Sequence, residues 1–366
     1  MLVIMPSPFT QLLLKWNQNE NHRPMPWKGE KDPYKIWLSE VILQQTRVEQ
    51  GSAYYEKFLK NFPTIFQLAE AKDEKVFKLW EGLGYYNRCK NLLFTARHIV
   101  KEYKGKFPST YDSLLSLKGV GPYTASAIAS FAYNLPHAVV DGNVFRVFSR
   151  FYGIATAIDT KEGIEIFNKI ATENLSTSQA GIYNQALMDF GATVCKPMAA
   201  QCPSCVMQKK CVAFTQNQVN LLPVKLKTIQ KKNRFFDFFI FKQGDTFLIQ
   251  KRGLGDIWSN LYQFYLNENE RAAAIDKKYI QKCILEPLTI SRENIISLLP
   301  SSVYKQTLTH QQIEARFILV TLEKKPALFA KALWVKKEGF KKYPFPKIVN
   351  DFLKMAMAKG KSGFSL

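Results

Sequence analysis

Four of the chain's six cysteines stand close together, in VCKPMAAQCPSCVMQKKCVAF. Cys195, Cys202, Cys205 and Cys211 follow the spacing C-x6-C-x2-C-x5-C. Two disulfides, a zinc site and an iron–sulfur cluster compete for such a set. Disulfides suit small secreted domains that lack an adequate core, whereas this chain has 366 residues, 46% of them hydrophobic. Its first residues, MLVIMPSPF, carry no charged n-region, long apolar run or cleavage site. Structural zinc favours paired short spacings, and here Cys202 and Cys205 make the one short pair. A single irregular loop fits a cubane better, with zinc left as the alternative. Cys89 and Cys283, far apart in sequence, read as ordinary buried thiols.

Two carboxylates stand in opposite settings. Glu40 lies in IWLSEVIL, crowded by Ile36, Trp37, Leu38, Val41, Ile42 and Leu43. Facing inward it would lose solvation and its pKa would rise; facing water it would be an ordinary surface residue. Asp141, in AVVDGNVFRVFSRF, ends an apolar run and begins a helical pattern, as a capping residue does. Helix N-terminal donors would keep its carboxylate ionised to low pH. One acid ready to donate and one anion ready to steady a cation divide the labour of glycoside cleavage through an oxocarbenium-like transition state. Between them, Gly119-Val120-Gly121-Pro122 opens the helical run TASAIASFAY. Such a side-chain-poor turn lets backbone N–H groups approach a phosphate, although any helix–helix connection can use one.

The balance of 51 basic against 30 acidic residues, +21 net with 13% aromatics, points to a polyanionic partner, with a merely soluble basic protein as the alternative. No window approaches the roughly twenty apolar residues of a membrane span, and no basic amphipathic helix or lipidation signal marks a membrane surface. Together with the carboxylates and the phosphate-approaching turn, that charge suggests cleavage of a nucleoside bond in DNA, and the residues by themselves carry the reading no further.

The elements that must position these residues follow from periodicity. Residues 1–215 read as mostly helical, with apolar spacing in YKIWLSEVILQQTRVEQGSAYYEKFLKNF, DEKVFKLWEGL and TASAIASFAY. Residues 216–233 read as a basic, extended linker. Residues 234–354 turn to strands: RFFDFFIF, a QGD turn and TFLIQKR signal a hairpin, and EARFILVTLE a further strand. Residues 355–366 read as a frayed tail. His22, His98 and His137 show no ligand spacing and read as structural.

LKGVGPYTA followed by VVDGNV resembles the helix–hairpin–helix and catalytic aspartate of the DNA glycosylase superfamily that includes endonuclease III. The cysteine spacing is similar to that superfamily's 4Fe-4S loop. PWKGEKDPYKIWLSEVILQQTRV, GLGYYNRCKNL and NQALMDFGATVC resemble, more narrowly, the MutY adenine DNA glycosylases, through residues 20–215. The resemblance implies an α-helical catalytic half of that fold joined to an α+β Nudix-like C-terminal domain. It implies an enzyme that flips adenine out opposite 8-oxoguanine or guanine and hydrolyses its N-glycosidic bond. It further implies a 4Fe-4S cluster on the four cysteines, double-stranded DNA as partner, a monomer, and a nucleoid-associated place in the bacterial cytoplasm.

Residue by residue, the resemblance makes Glu40 the acid that protonates the purine and Asp141 the carboxylate that stabilises the sugar cation, with Asn143 holding Asp141. Tyr123 would line the site. Strand-cutting relatives carry at that position a lysine that attacks the sugar; a tyrosine cannot form the imine, so efficient strand scission is not expected. Lys118 stands where the family commonly has proline and would add a phosphate contact beside Gly119 and Gly121. Gln45, Leu83 and Tyr85 would intercalate beside the mispair, and Lys196, Lys209 and Lys210 would meet the phosphate backbone. In the second half, GDIWSNLYQF resembles a Nudix-like strand region, while the glutamate cluster of a pyrophosphate hydrolase is absent. Thr309 and His310, in LTHQQ, would contact the oxidised guanine, with Leu308 in place of the family's phenylalanine. Two rivals remain. Tyr123 and the C-terminal extension oppose an endonuclease III-like bifunctional glycosylase/lyase. The presence of Glu40, Tyr123 and Asp141 opposes a non-catalytic damage sensor.

Overall fold

In the computed structural model, residues 7–226, 230–253, 255–326 and 332–358 are described. The chain divides into two units: one runs to Ala71 and resumes over Lys90–Lys227, and the other joins Lys72–Cys89 to Thr228 and beyond.

The first unit is helical, and its helices start where the side chains dictate. Asp32 accepts from the Tyr34 N–H at 2.9 Å and Pro33 takes the first turn of helix Pro33–Leu43, where no N–H is needed. Long apolar periodicity breaks at Gln44–Arg47, so the run read as continuous becomes Pro33–Leu43 and Val48–Asn61. Helix Gly142–Tyr152 buries Val144, Val147, Phe148 and Phe151, a stripe at helical spacing. That stripe packs with Phe9, Leu13 and Trp16 of helix Pro8–Asn19 and with Leu187 and Phe190 of helix Ala180–Thr193. Gly191 permits the approach: a Cβ there would stand 2.6 Å from the Asn143 Cβ. Among the described residues no helix is long and apolar enough to cross a membrane.

The stretch read as a linker is not free along its length. The Ile158 N–H donates to the Val224 carbonyl at 3.1 Å, the Leu226 N–H to Asp159 Oδ1 at 3.1 Å, and Leu222 is buried. Residues 227–229 lie outside the described ones.

The second unit is built on an eight-stranded sheet: β1 (Lys232–Gln243), β2 (Thr246–Lys251), β3 (Tyr262–Gln263), β4 (Tyr265–Asn269), β5 (Ile295–Pro300), β6 (Tyr304–Thr307), β7 (Gln311–Leu322) and β8 (Ala332–Lys336). The path runs β3-β2-β1-β7-β5, with β4 on β1, β6 on β7 and β8 on β2. β1 and β7 pair in parallel, and β1–β2 is the expected hairpin, closed by Gln243 opposite Thr246. β1 is buried on both faces from Phe236 to Phe241, which explains its unbroken apolar run. One face meets Ile284 and Leu288. On the other, Phe317 stacks on Phe352 of helix Lys347–Met357 with ring centroids 4.0 Å apart. Within the apolar run, Asp237 accepts from Arg316 Nε and Nη2, each at 2.7 Å, and from the Tyr279 hydroxyl. Of the tail, residues 355–357 continue that last helix and 359–366 lie outside the described residues.

Candidate active site

Helix Pro33–Leu43 carries Glu40 on an inward face; the side chain is 6% exposed. Helix Pro122–Tyr133 packs beside it, tied by Gln44 Nε2 donating to Thr124 Oγ1 at 3.3 Å, and presents Tyr123 one residue into its first turn. The Tyr123 hydroxyl hydrogen-bonds the Glu40 carboxyl and reaches Met188 Sδ at 3.6 Å. Burial pushes the Glu40 carboxyl up to about 7; the Tyr123 hydroxyl opposes this and the nearby Asp141 charge adds to it. Burial likewise pushes the Tyr123 hydroxyl well above its ordinary value, with the charges of Glu40 and Asp141 adding to the shift.

Asp141 caps helix Gly142–Tyr152, as its place in the sequence predicts. Its Oδ1 accepts from the Asn143 and Val144 N–H groups, each at 2.8 Å, and its Oδ2 from Asn143 Nδ2 at 2.7 Å. The expectation that these donors would hold its pKa low is corrected. Burial raises it above the ordinary carboxylate value, against the Val144 and Asn143 hydrogen bonds and the Arg146 charge. The donors still distinguish it from Glu40, because three hydrogen bonds to the anion favour the charged form.

Arg146 and Arg150, one turn apart on the same helix, were not singled out in the sequence. Arg146 Nη2 donates to Asn143 Oδ1 at 2.8 Å and to the Gly191 carbonyl at 2.6 Å, while its Nε donates to the Cys195 carbonyl at 2.7 Å. Arg150 donates to the carbonyls of Lys196 at 2.7 Å, Pro197 at 3.0 Å and Leu222 at 3.0 Å. One short helix therefore holds the Asp141 carboxylate at its start and the cysteine loop along its side. Two buried arginines in an otherwise apolar repeat, FRVFSR, were the available signal.

Cys195, Cys202, Cys205 and Cys211 are free thiols that line one small cavity with Arg150 and Met207. Among the described residues no three His, Cys, Asp or Glu side chains close on a point as around a single metal ion. Burial raises the Cys202 and Cys211 thiols and pushes Cys205 up to about 11. Four thiol donors lining one space are a donor set of the kind that takes soft metals or an iron–sulfur cluster. Lys209 and Lys210, on the same loop, are exposed.

A cavity of about 190 Å³ opens against Glu40, walled by Trp27, Lys28, Ser39, Phe131 and Gln185. Sequence reading missed this wall. Trp27 and Lys28 sit in a turn, and Gln185 looks like any polar residue of a helix, so nothing local marks them.

The other predicted residues divide. Gly119, at φ 81°, and Gly121 leave the start of helix Pro122–Tyr133 open, with no side-chain cap. Lys118 Nζ lies 4.5 Å from the centre of the exposed Phe94 ring. Gln45 is exposed at φ 55°, a left-handed conformation that costs a non-glycine residue energy. Leu83 is 6% exposed, so it is packed rather than presented as a wedge, whereas Tyr85 is 43% exposed. Within the sheet unit the Tyr85 hydroxyl hydrogen-bonds Thr309 Oγ1. Thr309 and His310 form the exposed tip of the β6–β7 turn, closed by the Leu308 N–H donating to the Gln311 carbonyl at 2.7 Å. His137 stacks on Tyr111 at 4.5 Å.

Residues 38–172 match the model of the HhH-GPD superfamily base excision DNA repair proteins, and residues 238–355 match the NUDIX domain. An adenine DNA glycosylase of Buchnera aphidicola subsp. Acyrthosiphon pisum is 36% identical over 269 residues, 73% of this chain and 76% of its own length. A mouse adenine DNA glycosylase is 39% identical over 230 residues, 59% of this chain and 44% of its own. The structure of a thermostable thymine-DNA glycosylase is similar at a TM-score of 0.53 and 27% identity, covering 57% of this chain and 95% of that one.

Proposed function

Since the chain belongs to the adenine DNA glycosylase family, we propose that it hydrolyses the N-glycosidic bond of adenine opposite 8-oxoguanine or guanine in duplex DNA. One observation carries this reading: a buried Glu40 with its pKa raised to about 7 stands in the same site as an Asp141 held by three donors.

Adenine must first leave the base stack, at a cost of about a few kcal/mol. The cavity beside Glu40 receives it. Glu40, protonated, gives its proton to a nitrogen of the imidazole ring and makes the base a better leaving group. The glycosidic bond then breaks with its electrons going to the base, and positive charge spreads over C1′ and the sugar oxygen. Asp141 steadies that cation or traps it covalently, and water finishes at C1′ to leave an abasic site. Asn143 and Tyr123 hold the two carboxyl groups. With no amine on Tyr123, no Schiff base forms and the strand stays intact.

Cys195, Cys202, Cys205 and Cys211 would hold a 4Fe-4S cluster, which would cross-link the loop bearing Lys209 and Lys210 and so shape a cationic surface for phosphate. Gly119, Gly121 and Lys118 would meet the backbone through the open helix start. Gln45 and Tyr85 would enter the stack, and Thr309 and His310 would read the oxidised guanine; the Tyr85–Thr309 hydrogen bond supports a shared role for those two residues. The protein would act as a monomer in the bacterial cytoplasm, at the nucleoid.

The test is release of adenine from duplex carrying it opposite 8-oxoguanine, with strands examined before and after alkali. Breaks that appear after alkali are expected. Equal breaks without alkali would make the protein a lyase, and tight binding with no release by the iron-loaded protein would make it a sensor.

A further inference from the structure

Gln185 and Glu40 share the walls of one cavity. One turn beyond Gln185, on the same helix, Asp189 is wholly buried. Four donors surround its carboxylate. Oδ1 accepts from Arg23 Nη1 at 2.9 Å and Gln185 Nε2 at 3.0 Å. Oδ2 accepts from Asn21 Nδ2 at 2.9 Å and faces Lys28 Nζ at 3.1 Å. Lys28 also lines the cavity and donates to the Arg23 carbonyl at 3.2 Å.

A carboxylate has acceptors to offer and no donor. It must therefore be met by the nitrogen end of the Gln185 amide, and that choice fixes which way the amide is turned. With its nitrogen committed to Asp189, Gln185 keeps its carbonyl oxygen for whatever enters the cavity. A carbonyl welcomes an exocyclic amine and repels another carbonyl. The ion pairs to Arg23 and Lys28 make the arrangement stiff, since any turn of Asp189 would strip a buried charge of its partners.

We propose that Asp189 is a positioning residue for base selection: by fixing the Gln185 amide it makes the cavity accept a 6-aminopurine and refuse a 6-oxopurine. The inference rests on the cavity being the adenine site. Asp189→Asn replaces an obligate acceptor by a group that can donate, which frees the Gln185 amide to turn.

The experiment compares single-turnover release of adenine and of hypoxanthine, which carries a carbonyl at the same ring position, from otherwise identical duplexes. In Asp189→Asn the adenine-to-hypoxanthine ratio should fall roughly tenfold, the worth of one hydrogen bond gained or lost. Gln185→Leu keeps Asp189 and both its cations and should lower the ratio as far. The double variant should then discriminate no worse than Gln185→Leu alone, because Asp189 acts through that amide. A loss of packing alone would slow both bases together and leave the ratio where it was. Hypoxanthine release that stays as slow relative to adenine as in the wild type, in a folded Asp189→Asn, overturns the proposal. If Asp189→Asn does not fold, an unchanged ratio in Gln185→Leu overturns it instead. Wild-type protein that releases no adenine would sink the functional reading itself, a separate outcome.

Discussion

Glu40 and Asp237 are both buried carboxyl groups, one in each unit of the chain, and they are treated oppositely by their surroundings. Asp237 sits across from Arg316 in the parallel β1–β7 register and takes two guanidinium hydrogen bonds, with Tyr279 and Asn269 completing the shell. Glu40 has a tyrosine hydroxyl and an approaching aspartate, with no guanidinium or ammonium among the causes that shift it. Two guanidinium hydrogen bonds hold the Asp237 carboxylate in the sheet, while burial with few donors pushes the Glu40 carboxyl up to about 7. A chain can bury acids for strength or for chemistry, and the donors around Asp237 and Glu40 set those two apart.

Removing the acid tests the deprived side most severely. Glu40→Gln should lower single-turnover excision by about 10²–10⁴-fold while duplex affinity persists; retained activity would remove Glu40 from the reaction. The same variant has a stability signature. In the wild type Glu40 is protonated in folded and unfolded chains below its ordinary pKa of 4.5, and between there and about 7 the unfolded chain alone ionises. Wild-type stability therefore declines as pH rises through that window. Glu40→Gln should melt higher than wild type at about pH 8 and alike at about pH 4.

On the saturated side, Arg316→Ala leaves Asp237 buried without its cation. Unfolding of the sheet unit should become easier by about 3–5 kcal/mol, measured by denaturant melting. A change under about 1 kcal/mol would show the pair to be replaceable. Asp141→Asn keeps a residue able to cap the helix but removes the charge, and should cost about 10²–10³-fold in excision with little change in melting.

Tyr123→Phe probes the boundary between the two treatments. The hydroxyl lowers the Glu40 pKa, so its loss should raise that value and move the falling alkaline limb of the pH–rate profile above its wild-type position near 7. An unmoved limb would show that the hydrogen bond does not tune the acid. The smallest effect is the most general one: duplex affinity should fall with salt at a logarithmic slope of about 0.9 per phosphate contacted.

Much of the site was legible because it is written in short stretches. The cap at Asp141 and the open turn Gly119–Gly121 depend on residues within one turn of chain, and the cysteine spacing on a single short loop. The β1–β2 hairpin was equally local. What escaped were groups whose meaning is a partner far away in sequence: Gln185 facing Glu40's cavity, Arg146 and Arg150 gripping the cysteine loop, and Asp189 beneath Arg23 and Lys28. Thr309 is separated from Tyr85 by 224 positions. Lys72–Cys89 groups with the C-terminal sheet, where Lys78 Nζ donates to the Tyr343 carbonyl at 3.0 Å and the Phe345 N–H to Glu81 Oε1 at 2.8 Å. Nothing in DEKVFKLWEGL announces that allegiance.

By itself, then, the order of residues determined the family and the two fold types in succession, and it singled out the carboxylates and the four cysteines on which the proposed chemistry rests. Tertiary structure decided how those groups behave. The upward pKa shift of Glu40, that of Asp141 despite its cap, and the burial of Leu83 all depend on what surrounds a side chain in three dimensions. Solvation and charge proximity act through space, while capping and spacing act along the chain.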